Sequence, residues 1–245
     1  MQWSEEGIVV GTRRYGETDI ILEVLTEARG RHLGLVKGGR GRRLRPFVQP
    51  GNTLLLTWRA RLDEHLGNFR VEPVEERSSA LTATGMGAFG LALAAAHLRL
   101  LPERDPHPRL HAAFAVMLDC FDRPPLGAEM MARFELLLLE ELGFGLDLDT
   151  CAATGERDEL VYVSPKSGRA VSRQAGQPYA ERLLMLPAFL VGAASEAASP
   201  QRLEEAFGLT GHFLGRHVYE PRGQAVPDSR ASFLRAMRQA LDRTA

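Results

Sequence analysis

The sequence predicts an α+β fold: a small five-stranded β-barrel followed by a mainly helical region. Three observations predict it. Short apolar runs punctuated by Gly, Pro and Asn fill the first 77 residues. After Pro73 the apolar residues recur at helical spacing. A turn-rich stretch at about 145–178 then interrupts the helices.

The strands follow in order. Ile8, Val9 and Val10 form an apolar run between Gly7 and Gly11. Asp19 to Thr26 puts Ile20, Leu22 and Val24 on one face. Gly30 marks a turn, and His32 to Lys37 gives a third strand. Leu54 to Leu56 leads to Trp58 in a fourth. In the fifth, Phe69 and Val71 face one way, and Asn68, Arg70 and Glu72 the other. An OB-fold fits five such strands, and strand counting alone also fits an SH3-like barrel.

Beyond Pro73, Ala80 to Leu101 is apolar all round, with Met86, Phe89, Leu93 and Leu100, so it reads as one buried helix. Leu110, Phe114, Met117 and Leu118 mark a second, ended by Pro124 and Pro125. Met130, Phe134, Leu137 and Leu138 stripe a third, which Gly143 stops. Glu129 and Arg133 form an i,i+4 pair on its outer face. The turn-rich stretch holds one short strand, Leu160 to Val163. Pro187 suits a helix first turn. Ser199-Pro200 reads as N-cap and N1 ahead of Leu203, Phe207, Leu214 and Val218, and a last helix runs from about Ser229 to Leu241. Domains are expected at 1–77 and 78–245.

Composition narrows the function classes. Nothing at the start reads as a signal peptide, since Trp3, Glu5 and Glu6 interrupt it. The apolar stretch Ala83 to Ala96 is too short to span a bilayer, so no membrane partner is expected. Cys120 and Cys151 are the only cysteines and lie far apart, so no disulfide framework is implied. A cytoplasmic protein is expected.

Net charge is −1, which argues against a chain coated in nucleic acid, but its distribution is uneven. From Arg29 to Arg45 seven residues are basic and none is acidic. The run Lys37-Gly38-Gly39-Arg40-Gly41-Arg42-Arg43-Leu44-Arg45 concentrates charge on flexible, glycine-rich backbone between the third and fourth strands. Such a loop beside a barrel face can follow a phosphate backbone while aromatics stack on bases. Tyr15, Phe47, Trp58 and Phe69 are the candidate stacking residues, although for each taken singly the core is the default. The alternative for the loop is a solvated charge run.

Catalytic patterns are missing. The loop lacks the G-K-[ST] ending and following helix of a P-loop. His107 and His111 are four apart without the H-E-x-x-H glutamate, and read as solvent-facing. No serine sits in G-x-S-x-G. A non-catalytic binding protein is expected.

The segment Gly7-Ile8-Val9-Val10-Gly11-Thr12-Arg13-Arg14-Tyr15-Gly16-Glu17-Thr18-Asp19 resembles the opening of the RecO recombination-mediator family. The likeness continues through Leu25-Thr26, Val36-Lys37-Gly38-Gly39-Arg40 and Arg45-Pro46-Phe47. It resumes at Phe134-Glu135 to Leu142-Gly143-Phe144, Leu148 and Cys151, covering nearly the whole chain in order. The resemblance implies an N-terminal OB-fold, a helical domain and a zinc-ribbon-like insertion. It also implies binding of single- and double-stranded DNA, strand annealing, and loading of RecA with RecR on DNA coated by single-strand-binding protein, whose acidic C-terminal tail is a further partner. The candidate DNA-binding residues are Arg13, Arg14, Lys37, Arg40, Arg42, Arg43 and Arg45. The rivals are an adaptor that contacts only protein and an RNA-binding barrel.

Two departures stand out. Many family members carry two C-x2-C pairs in the insertion, where this chain has Cys151, Thr154, Ser172 and Ala175. One thiolate does not make a four-ligand zinc site, so no metal or other cofactor is expected, and Tyr162, Val163 and Tyr179 are expected to help pack the insertion. Where the family has a Lys-Ser-Arg-like stretch, this chain has Asp228-Ser229-Arg230. Arg216 and Arg230 are the candidates to receive an acidic tail, with solvated surface arginine as the alternative for each.

Overall fold

The computed structural model describes residues 1–192 and 198–243. The chain forms two compact units, Met1–Asp122 and Arg123–Ala245.

The first unit opens with β1 (Gln2–Tyr15), β2 (Asp19–Thr26), β3 (Gly30–Val36), β4 (Thr53–Arg59) and β5 (Asn68–Glu75). They close into a barrel in the order β1-β2-β3-β5-β4. β1 is long enough to serve two neighbours: Gln2–Ile8 pairs with β4, and Gly7–Tyr15 pairs with β2. A register shift between Val9 and Gly11 bends it from one to the other. β3 meets β5 in parallel at Leu35 and Asn68. This parallel closure of a five-stranded Greek-key barrel is the OB-fold arrangement, which settles the barrel type that strand counting left open. The interior is filled by Val9, Leu22, Val24, Leu56, Trp58 and Phe69, all buried.

Three helices complete this unit: α1 (Ser78–Thr82), α2 (Gly85–Leu98) and α3 (Pro108–Leu118). The single helix expected from Ala80 to Leu101 breaks at Thr84. That residue is extended (φ −120°, ψ 148°), and its hydroxyl accepts the Gly87 amide at 3.0 Å, giving α2 its own N-cap. α2 is buried on most sides, as its composition requires, but Phe89 is exposed. His107 is buried at the start of α3 rather than facing solvent, and His111 is half-buried. The buried Glu23 of β2 ties the helices to the barrel. Its two oxygens take the Arg31 guanidinium at 2.9 Å and the Arg99 guanidinium at 2.7 Å.

The second unit begins with α4 (Pro124–Glu141). Pro124 and Pro125 form its first turn instead of ending the preceding helix, because a fixed φ and a missing N–H cost nothing there. Gly143, at φ +85°, stops α4 as expected. Glu129 is buried, not on an outer face. Arg133 pairs with it at 2.8 Å and also donates to the Phe189 carbonyl at 2.8 Å. The insertion holds two strands where one was expected, β6 (Leu160–Val163) and β7 (Ala170–Ser172), and β8 (Leu184–Met185) joins them from just beyond it, in the order β7-β6-β8. β7 and β8 are too short to show a period of two. Val163 is buried and Tyr162 half-buried, but Tyr179 is exposed. α5 (Arg173–Gly176) is a single turn. Ser199 caps α6 (Pro200–Phe213) by accepting the Arg202 amide, with Pro200 in the first turn. Leu203, Phe207, Leu214 and Val218 are all buried. A π-helical turn, Leu214–Tyr219, follows, and α7 (Asp228–Asp242) ends the unit. Pro187 lies just ahead of a short 3-10 turn, Ala188–Leu190, and not within a helix. Among the described residues no helix is long and apolar enough to cross a membrane.

Candidate nucleic-acid interface

The basic loop joins β3 to β4, and its backbone is tied down along its length rather than free. Gly38 turns the chain with φ +64°, and Gly39 passes so close to Ile20 that a Cβ there would lie 2.5 Å from its side chain. The Gly38 amide donates to Asp19 Oδ1 at 2.8 Å, and the Arg40 amide donates to the Thr18 carbonyl at 2.9 Å. The Arg40 guanidinium donates to the Glu17 carbonyl. These contacts fasten the loop's first half to the β1–β2 hairpin.

The second half is a pair of helical turns. The Arg45 amide bonds the Gly41 carbonyl at 3.0 Å, and the Val48 amide bonds that of Leu44 at 3.2 Å. This coiling puts Leu44, Phe47 and Val48 on one side, where they pack on the barrel core. The buried Asn52 locks the far end, donating from Nδ2 to the Pro46 and Phe47 carbonyls at 3.1 and 3.0 Å. With its apolar residues turned inward, the loop leaves Arg40, Arg42, Arg43 and Arg45 exposed.

The loop borders two clefts. Arg14, Arg40 and Arg45 line the first, of about 520 Å³, together with Thr12, Thr18 and Glu17. Lys37 and Arg43 line the second, of about 650 Å³, with Arg59, Arg70 and the apolar side chains of Leu44 and Val71. Arg13 lines neither of them and instead borders a groove shared with Arg99, Glu23 and Ile21. Arg42 is exposed on the loop between the cleft-lining Arg40 and Arg43. Arg59 and Arg70 were not among the expected residues. The signal for them was the alternation of β5, which puts Arg70 on the outer face, and the β4–β5 register. Arg59 opposes Asn68 and Arg70 opposes Thr57, so the two arginines are diagonal neighbours.

Two of the candidate stacking residues are core. Trp58 is fully buried, its Nε1 donates to the Leu66 carbonyl at 3.0 Å, and its ring stacks with Trp3 at 5.8 Å. Phe69 is buried beside it, and Phe47 is half-buried under the loop. Tyr15, by contrast, is 52% exposed at the end of β1. His32 joins the aromatic cluster, and burial, with Arg104 and Arg29 adding to it, pushes its imidazole down to about 4, so it is neutral at pH 7. Asp19 has its carboxyl held below the ordinary carboxylate value, first by the Gly38 amide and then by the Thr18 hydroxyl.

The two arginines expected to receive an acidic tail lie in the second unit and differ sharply. Arg216 is exposed on the π-helical turn. Arg230 turns inward. Its Nε and Nη2 donate to the two oxygens of Glu135 at 2.9 and 3.0 Å, and Nη2 also donates to the Phe207 carbonyl at 2.7 Å. Glu135 is fully buried, and the Thr210 hydroxyl donates to it as well. Burial alone would lower the affinity of Arg230 for its proton, but Glu135 outweighs that and raises it. This guanidinium is occupied inside the protein and is not presented to a partner.

The insertion offers no zinc-binding set. Cys151 Sγ lies 3.5 Å from Ser172 Oγ and accepts the Ser172 amide at 3.3 Å. Burial raises the thiol's pKa, but hydrogen bonds from Ser172, Thr154 and the Ala153 backbone outweigh it and bring it to about 6. One thiol ringed by hydroxyls does not supply the four N or S donors that zinc takes. Among the described residues no group of three or more His, Cys, Asp or Glu could hold a metal.

With this geometry in hand, comparison with known proteins decides the family. Residues 1–77 match the family model for the N-terminal part of recombination protein O, and residues 80–224 match that for its C-terminal part. The chain belongs to the RecO family. Its RecO relatives include the DNA repair protein RecO of Brucella abortus (strain 2308), 53% identical over 242 residues, which span 99% of this chain and 98% of that protein. That of Mesorhizobium japonicum is 56% identical over 239 residues, 98% of this chain and 94% of the relative. That of Sinorhizobium medicae is 55% identical over 241 residues, 98% and 96% respectively. RecO membership thus covers both the barrel that carries the basic loop and most of the second unit.

Proposed function

We propose that this chain is a non-catalytic mediator of DNA repair and homologous recombination in the cytoplasm. It binds single- and double-stranded DNA through the basic loop of its barrel and anneals complementary strands. Together with RecR it helps load RecA onto DNA coated by single-strand-binding protein. One observation carries the reading: the folded loop buries its apolar side chains and turns four arginines outward beside two clefts, on a chain whose net charge is only −1. Local charge of this kind attracts a polyanion where global charge does not. The fork geometry of arginine suits phosphate oxygens, and contacts of this type position a strand without reading its sequence. In this reading Arg14, Lys37, Arg40, Arg42, Arg43 and Arg45 bind DNA, Arg13 adds charge on the neighbouring groove, and Arg216 offers a cation to the coat protein's acidic tail.

The test is annealing of complementary strands pre-coated with single-strand-binding protein, with and without the full chain and RecR. Acceleration by the chain is expected. A folded chain that leaves the rate unchanged, and that ignores bare oligonucleotides in dilute buffer, would remove the assignment. Stronger binding to RNA than to DNA strands would move it to an RNA-binding barrel.

A further inference from the structure

Each of the two clefts beside the loop has its own cations. Arg14, Arg40 and Arg45 serve one, and Lys37, Arg43, Arg59 and Arg70 serve the other. The loop between them is held at both ends, by Asp19 on Gly38 and by Asn52 on Phe47. Neighbouring loop residues part company across it: Arg43 lines one side and Arg45 the other.

We infer that the loop is a partition, and that the cleft of Lys37, Arg43, Arg59 and Arg70 holds a second DNA strand while the first cleft holds another. The inference rests on the reading of the barrel as DNA-binding and adds to it a second binding track. Two unpaired strands repel, and in physiological salt that repulsion is screened over about 8 Å. Fixed guanidinium groups on a shared wall neutralise both backbones without waiting for mobile ions, so the strands can lie side by side on one chain. The two clefts are not equivalent. The first contains Glu17 among its cations. The second is more strongly basic, because four cations and no acid line it, although Glu72 outside the lining lies 3.4 Å from Arg70, and Leu44 and Val71 give it an apolar floor against which bases can rest.

The experiment uses the full chain with oligothymidylates of about eight nucleotides, within the span one OB-fold covers. Such strands cannot pair with each other, so any proximity between them comes from the protein. In dilute buffer, calorimetry is expected to count two oligonucleotides per chain, and a donor-labelled and an acceptor-labelled strand are expected to show energy transfer. Arg59→Glu with Arg70→Glu, both on exposed side chains, should weaken the second site by about tenfold or more. At the working concentration the count should fall to one and the energy transfer should disappear, with first-site affinity, compared at about 0.15 M salt where charges are screened over about 8 Å, within about twofold of wild type. Annealing of complementary strands should slow in parallel. Arg14→Glu with Arg45→Glu should remove the other site and also leave one. A wild-type count of one, or a count of two that the Arg59/Arg70 variant retains, overturns the partition while leaving DNA binding intact. No binding at all overturns both. An unchanged thermal midpoint shows that each variant is folded, and the milder alanine changes at the same two positions replace any variant that is not.

Discussion

The Asp19 carboxylate accepts the Gly38 amide at 2.8 Å, so the first residue of β2 holds the start of the basic loop. An acidic residue beside a phosphate-binding loop is electrostatically unfavourable for DNA, yet here it organises the loop. The two effects separate by substitution. Asp19→Asn removes the charge and keeps an acceptor, whereas Asp19→Ala removes both. Asp19→Asn is expected to bind single-stranded DNA at least as tightly as wild type, and Asp19→Ala about two- to fivefold more weakly than Asp19→Asn, the worth of one hydrogen bond. Fluorescence anisotropy at one fixed salt concentration reads the difference. Equal affinities for the two variants would mean that the contact does not organise the loop.

The same contact has a defined pH dependence. The folded carboxyl titrates below its ordinary value of 3.8. A group depressed in this way contributes fully above the unfolded value and loses its contribution as pH falls through the folded value. The Gly38 amide resonance should therefore be constant from neutral pH down to about 4 and move only below that.

Tyr15 and Trp58 are both aromatic residues of the barrel, and they should respond to substitution in opposite ways. Tyr15→Ala should leave the thermal midpoint unchanged and weaken single-strand binding by up to ~1–3 kcal/mol, the value of one stacked base. Its effect on duplex binding should be small, because bases in a duplex are already stacked. Trp58→Ala opens a cavity in the barrel core and should cost ~3–5 kcal/mol of stability. Urea unfolding and anisotropy, run on both variants, distinguish the roles.

Legibility in the sequence follows the range of the interaction. The five strands and the end of the barrel were readable because alternation is local, as at Phe69, Arg70 and Val71. The helix ends at Ser199 and Gly143 were readable because caps are local chemistry. What escaped depends on partners distant in sequence. Arg230 looks like a surface arginine until Glu135, 95 residues away, is placed against it. Glu129 and Arg133 match the pattern of an exposed pair, but the Phe189 carbonyl draws Arg133 inward. Thr84 interrupts an apolar run that periodicity alone reads as unbroken. In the candidate interface, the loop arginines were evident as a charge run. Arg59 and Arg70 became visible only once the register of β4 against β5 set them on the same face.

The Glu135–Arg230 pair makes a strong prediction about stability. Glu135 is fully buried, so Glu135→Ala leaves the Arg230 guanidinium inside the protein with the Phe207 carbonyl and the Thr210 hydroxyl but without its carboxylate partner. A loss of ~3–5 kcal/mol is expected in urea unfolding. Replacing both partners with apolar residues, Glu135→Leu with Arg230→Met, should recover most of it, because no charge is then buried alone. Thr210 keeps its bond to the Ala206 carbonyl in that variant. If the double variant is as unstable as the single, the pair's value lies in geometry beyond charge compensation.

The salt dependence of DNA binding tests the loop as a whole. Each phosphate contact on a single strand contributes roughly −0.7 to the slope of log affinity against log salt, because each contact releases condensed counterions. Arg40, Arg42, Arg43 and Arg45 are all exposed, so changing them together to Ala should flatten that slope by up to about 3. The variant's affinity should therefore approach that of wild type as salt rises and fall furthest behind it in dilute buffer. A general loss of fold would behave differently, lowering the bound fraction at every salt concentration. A shallower slope with an unchanged thermal midpoint would place the lost contacts on the loop. An unchanged slope would place the DNA contacts elsewhere on the chain, whatever the change in affinity.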